Sequence, residues 1–202
     1  MPFLPVPEGI GQLALSVSSQ VVVVAVAAAG LALVLTRSEA ILVLALLTSY
    51  IATAVLLASQ AAPELAFVMI LIGIFVALIM QLTAAERRAA QTAAHRDPAT
   101  IGLRVLATLL IVWFSLSIGV LRLPLQPQQF TAVWLVASAT AALLTTTDAF
   151  RVGIALLMLT ASSLLYYATS TSETSLLVLG LVAGSAFAIS LAASHLALEA
   201  GQ

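Results

Sequence analysis

Apolar runs of about 20 residues, cut by charges and prolines, recur along the whole chain and predict seven helical spans: 11–36, 39–59, 64–83, 101–121, 128–147, 149–169 and 173–198. Each is long enough to cross roughly 30 Å of hydrocarbon as an α-helix. The runs are continuously apolar and rich in Ala and Leu, whereas membrane β-strands alternate over about ten residues. The expected fold class is therefore an all-α integral membrane protein, a single transmembrane helical domain covering 1–202. Cap signals support the cuts. Asp97-Pro98 and Pro63-Glu64 open helices, Ser170 and Glu173 have capping-box spacing, and Ser38-Glu39 and Thr147-Asp148 place acceptors and negative charge where free helix amides point.

Composition agrees. The chain is 62% hydrophobic and 7% charged, with a mean hydropathy of +1.19, against roughly 25% charged residues in a soluble domain. A net charge of −1 offers no clustered basic surface for nucleic acid. Cysteine and lysine are absent, which excludes disulfides, thiolate metal sites and a lysine Schiff base. The N-terminal eight residues carry no basic side chain and three prolines, unlike a cleaved signal peptide, so the first helix is expected to be retained.

With seven spans, Arg37, Arg87, Arg88, Arg96, Arg104 and Arg151 fall on one side and Arg122 on the other. The positive-inside rule then places the N-terminus outside and the C-terminus in the cytoplasm of a bacterial or archaeal inner membrane. The polar segment 84–100 becomes a cytoplasmic loop. Its arginines hold topology and touch anionic headgroups, or alternatively dock a partner, with Arg87, Arg88 and Arg96 as candidates. Arg104 and Arg151 are expected to extend their heads to the interface.

Spans one to three and five to seven follow one plan, giving a possible parallel 3+1+3 pseudo-repeat of 11–83 and 128–198, joined by loop 84–100 and helix 101–121. In this pairing Thr48 matches Thr160 and Glu64 matches Glu173. No acidic or basic side chain is expected at mid-membrane, where it would mark an ion route. Interior polarity is confined to neutral groups, with Thr48, Tyr50, Thr160 and Ser185 as candidate intramembrane polar positions. Such groups bond their own helix or a neighbour, or else line a hydrated path. Gly180, Gly184 and Ala188 form a GxxxG-type face for close helix packing, within the chain or against another. His95 and His195 lack a supporting nucleophile or metal motif, so neither catalysis nor a cofactor is expected.

The run from Asp148 through Phe150, Arg151 and Gly153 to Met158 resembles the turn into the second helix of the small three-span subunit of respiratory complex I. The doubled triplet with an extra helix resembles the component E membrane subunit of group 4 membrane-bound hydrogenases. The resemblance implies a non-redox subunit of a proton- or sodium-translocating complex, with other integral membrane subunits and lipid as partners. Where that family has glutamates in the second and third helices, this chain has Thr48 and Thr160, and Phe75 and Ser185, so the resemblance implies a structural role without the ion-carrying groups. The expectation is a non-catalytic accessory subunit; a small transporter or channel for a neutral or weakly polar solute is the alternative.

Overall fold

The structure is a computed structural model that describes residues 19–58, 63–90, 106, 109–110, 127–170 and 176–199. The described residues are helical apart from two short turns, and six helices are defined: α1 (Ser19–Leu35), α2 (Glu39–Ala58), α3 (Pro63–Ala90), α4 (Pro127–Thr145), α5 (Ala149–Ser170) and α6 (Leu176–Glu199). Four of them contain a stretch long and apolar enough to cross a membrane: Glu39–Ala58, Ala66–Arg87, Ala149–Ala168 and Leu177–Glu199. In α1 the apolar stretch Val21–Leu35 is shorter, and α4 opens with the polar pair Gln128-Gln129. The expected span 101–121 lies outside the described residues apart from Leu106, Leu109 and Leu110, as do the Asp97-Pro98 and Glu173 cap signals and Arg96.

Local chemistry sets the helix starts. Between α1 and α2 the Ser38 amide donates to Thr36 Oγ1 at 3.4 Å, and the Ser38 carbonyl accepts the first helical bond, from Leu42 N–H at 3.0 Å. Between α4 and α5 the Asp148 amide donates to Thr146 Oγ1 at 3.3 Å, and the Asp148 carbonyl accepts from Val152 N–H at 2.9 Å. Ser38 and Asp148 are thus the N-caps, and both turns are folded by a threonine hydroxyl two residues earlier. Asp148 goes further, accepting the Phe150 amide on Oδ1 at 3.2 Å.

One boundary departs from expectation. The third helix does not stop at residue 83 but continues to Ala90. The added sequence Ala84-Ala85-Glu86-Arg87-Arg88-Ala89-Ala90 consists of strong helix formers without Gly or Pro, so hydrophobicity ends before helicity does. Arg87 and Arg88 therefore stand on a helix, not on a loop.

The helices form two three-helix layers. α1, α2 and α3 pack in order, as do α4, α5 and α6, and across the layers α1 meets α4, α2 meets α5 and α3 meets α6. Facing helices run in the same direction: the N-termini of α2 and α5 share one end with the C-terminus of α3, where Arg87 bridges Glu39 and Asp148. Near that end Thr83 Oγ1 of α3 donates to Ser194 Oγ of α6 at 2.8 Å. α2 and α5 are the central pair, each touching three neighbours. Between the layers the space is filled by side chains, with Tyr50, Phe150, Leu42, Leu46, Leu57 and Met158 fully buried. In lipid, where apolar surface gains little by leaving its surroundings, such close packing and interhelical hydrogen bonds carry the association.

Three glycines permit that approach. A Cβ on Gly30 of α1 would lie 2.6 Å from Trp134 Nε1 and 2.7 Å from Ser138 Oγ of α4, and one on Gly73 of α3 would lie 2.6 Å from Tyr50 Cβ of α2. Gly153 of α5 similarly sits against Ala193 of α6.

Candidate functional site

The densest polar constellation among the described residues lies where α2, α3 and α5 meet. Arg87, in the last turns of α3, points back over the start of the two central helices. Its Nη1 lies 3.3 Å from Glu39 Oε1 and 3.5 Å from Asp148 Oδ2, its Nη2 lies 3.1 Å from Asp148 Oδ1, and its guanidinium sits 5.3 Å from the Phe150 ring centroid. Both carboxylates occupy the first positions of a helix, where the macrodipole already favours negative charge. The Arg87 side chain is 11% exposed, and its buried Nε has no hydrogen-bond partner. Arg87 is therefore not an outward docking residue as its place in a polar stretch suggested; it joins the two layers. Arg151, on the first turn of α5, is likewise buried rather than extended to the interface. The Arg88 side chain lies outside the described residues.

This cluster escaped the sequence reading because its members are 48 and 61 positions apart. The available signal was local: Glu39 and Asp148 are the acidic residues at the starts of the two central helices, and a cation was needed nearby once those starts were brought together.

The four intramembrane polar candidates separate into two kinds. Tyr50 is fully buried, and its hydroxyl donates across the layers to the Leu157 carbonyl at 3.4 Å. Thr48, Thr160 and Ser185 donate within their own helices, to the carbonyls of Leu44 at 2.8 Å, Leu156 at 2.9 Å and Val182 at 2.8 Å. Ser49, Ser138, Ser162 and Ser190 are buried and bonded in the same manner. These hydroxyls donate to carbonyls of their own helices. The bonds that fold the two tight turns, Ser38 N–H to Thr36 Oγ1 and Asp148 N–H to Thr146 Oγ1, lie 110 residues apart.

Among the described residues nothing packs on the GxxxG face. Gly180, Gly184 and Ala188 are exposed, and a Cβ on either glycine would meet nothing within 4 Å. His195 stands exposed near the end of α6, 3.5 Å from Glu199. Among the described residues no three His, Cys, Asp or Glu side chains come together as a metal site.

A second surface feature is a groove of about 650 Å³ between α4 and α5, lined by Ala132, Val136, Thr140, Leu144, Ser163 and Tyr166 among others. It opens on the side of the second layer away from the first.

No protein-family model, no curated protein and no solved structure matches this chain.

Proposed function

We propose that the chain is a non-catalytic structural subunit of a multisubunit, energy-converting membrane complex, built as a parallel 3+1+3 duplication and holding other integral membrane subunits in place. The observation that carries this reading is the contrast between a core closed by large side chains and a small-residue face on α6 that no described residue covers. Close packing at Gly180, Gly184 and Ala188 is favourable in lipid only when another helix lies against them.

Three further features support the arrangement. The paired turns repeat their hydrogen bonds at 110 residues, as duplication requires. α3 ends at the Arg87 end whereas α4 begins at the other, and the apolar stretch 101–121 between them has the length of a seventh span. Arg37, Arg87 and Arg151 all lie at the Arg87 end, which is the cytoplasmic end under the positive-inside rule and leaves the N-terminus outside. The resemblance to the complex I small subunit in duplicate adds the class of complex, one that moves protons or sodium.

Purification of the tagged chain from native membranes in a mild detergent tests the proposal. Co-purification of specific membrane polypeptides, reduced by Gly184→Leu, is the expected result. A lone, monodisperse chain, or partners retained undiminished by Gly180→Leu and Gly184→Leu together, would overturn it.

A further inference from the structure

The two layers are related by a shift rather than by a rotation, because α1 faces α4 and α3 faces α6. A two-fold axis along the membrane normal would instead set α1 against α6. In a shifted stack the front of the first triplet meets the back of the second, and two surfaces are left uncovered by the described residues: the back of the first triplet and the front of the second.

Both are visible residue by residue at the 110-residue spacing. On the front of the first triplet Val26, Gly30, Val34, Thr53 and Leu56 are buried. Their counterparts Val136, Thr140, Leu144, Ser163 and Tyr166 are exposed, and all five line the α4–α5 groove. On the back of the second triplet Thr131, Trp134 and Ser138 are buried against the first layer. Their counterparts Val21, Val24 and Ala28 on α1 are exposed, Val24 at 66%. The groove is thus the unfilled equivalent of the surface that receives α4, and the outer face of α1 is the equivalent of the ridge that fills it.

From this correspondence, which rests on reading the triplets as copies, we propose that the α4–α5 groove receives the outer face of α1 from a second copy of this chain, extending the stack head to tail. Side-chain volumes fit that occupant. Inside the chain the large Trp134 with Ser138 lies against Gly30, a residue without a side chain. Between copies the smaller Val24 and Ala28 would lie against Thr140, so the volume lost on the ridge is restored in the groove. Facing helices in the stack are parallel, and every copy therefore inserts in the same direction. Such a contact is heterologous and does not close on itself after two copies.

The chain has no cysteine, so introduced thiols report the contact cleanly. A Cβ on Gly30 would lie 3.1 Å from Ser138 Cβ, and the equivalent pair between copies is Thr140 with Ala28, within disulfide reach. The full-length double variant Ala28→Cys/Thr140→Cys, oxidised in native membranes, is expected to give a ladder of dimers, trimers and higher species. Differently tagged Ala28→Cys and Thr140→Cys single variants, co-expressed, are expected to give only the mixed dimer. Thr83→Cys/Ser194→Cys, linked within one chain, verifies that the layers are assembled. Absence of the ladder with that internal link formed would overturn the head-to-tail contact, as would self-dimers of Thr140→Cys, which indicate a two-fold interface. Neither outcome bears on the co-purification of other subunits, which tests the structural role separately.

Discussion

Gly30 on α1 and Thr140 on α4 stand 110 residues apart, yet one is shut against Trp134 and Ser138 and the other opens into the α4–α5 groove. Val34 and Leu144 repeat the contrast, 1% and 79% exposed. The difference is one of packing and not of hydropathy, since both faces mix aliphatic residues with hydroxyls, Thr53 and Ser138 on the packed one and Thr140 and Ser163 on the open one. In a bilayer the distinction between a packed surface and a lipid-facing one is made by shape, as lipid tails are as apolar as leucine.

The sharpest way to break the comparison is to enlarge both members of the pair. Gly30→Leu forces a side chain into Trp134 and Ser138 and is expected to destabilise the chain by about 3 kcal/mol, whereas Thr140→Leu should change its stability by under about 0.5 kcal/mol. Denaturant titration of the detergent-solubilised protein, followed by helicity or Trp fluorescence, measures both; equal effects would mean that the layers are not stacked by a shift.

The next largest effect concerns the residue that joins the layers. Arg87→Met leaves Glu39 and Asp148 facing each other near two helix starts. Breaking a buried pair on one side costs about 3 to 5 kcal/mol, and the partial exposure of Asp148 brings the expectation below that range, to about 2 to 3 kcal/mol after solvent screening. Adding Glu39→Gln to that variant should recover part of the loss, a coupling visible in a double-mutant cycle. The two carboxylates are unequal in a further respect. Asp148 also caps α5, so Asp148→Ala should cost about 1 kcal/mol more than Glu39→Ala, the usual worth of an N-cap.

Smaller still is Tyr50→Phe, which removes the hydroxyl bond to the Leu157 carbonyl and should cost about 0.6 kcal/mol, the average for interhelical hydrogen bonds in membranes. At the foot of the scale Gly184→Leu should leave the isolated chain unchanged within about 0.5 kcal/mol, because open space lies over its Cα. A large loss there would show that the face is already occupied within the chain.

The glycines show how far spacing reaches. GxxxG spacing marks Gly180 and Gly184, over which no described residue lies, while the close approaches among the described helices are made by Gly30, which has no small residue four positions away, and by Gly73 and Gly153, which stand four from Ala77 and Ala149. A motif records that one helix face is small; it carries no information on which partner lies against it. Likewise the cap residues Ser38 and Asp148 were legible because an N-cap is satisfied within a few residues of itself, while the role of Arg87 depended on residues from two other helices. Its polar neighbourhood in the chain suggested an exposed loop, and helix propensity beyond the apolar run decided otherwise.

Hydropathy and local capping, being properties of contiguous residues, determined the all-helical character, the two tight turns and the beginnings of α2 and α5. The order in which the six described helices lie side by side is a different kind of quantity. Leu, Val and Ala satisfy hydrocarbon and protein almost equally, so only the fitting of particular shapes, Trp134 over Gly30 and Tyr50 over Gly73, together with the charge bridge at Arg87, selected the two-layer arrangement of the described helices, with the groove beside Thr140 on its outer side.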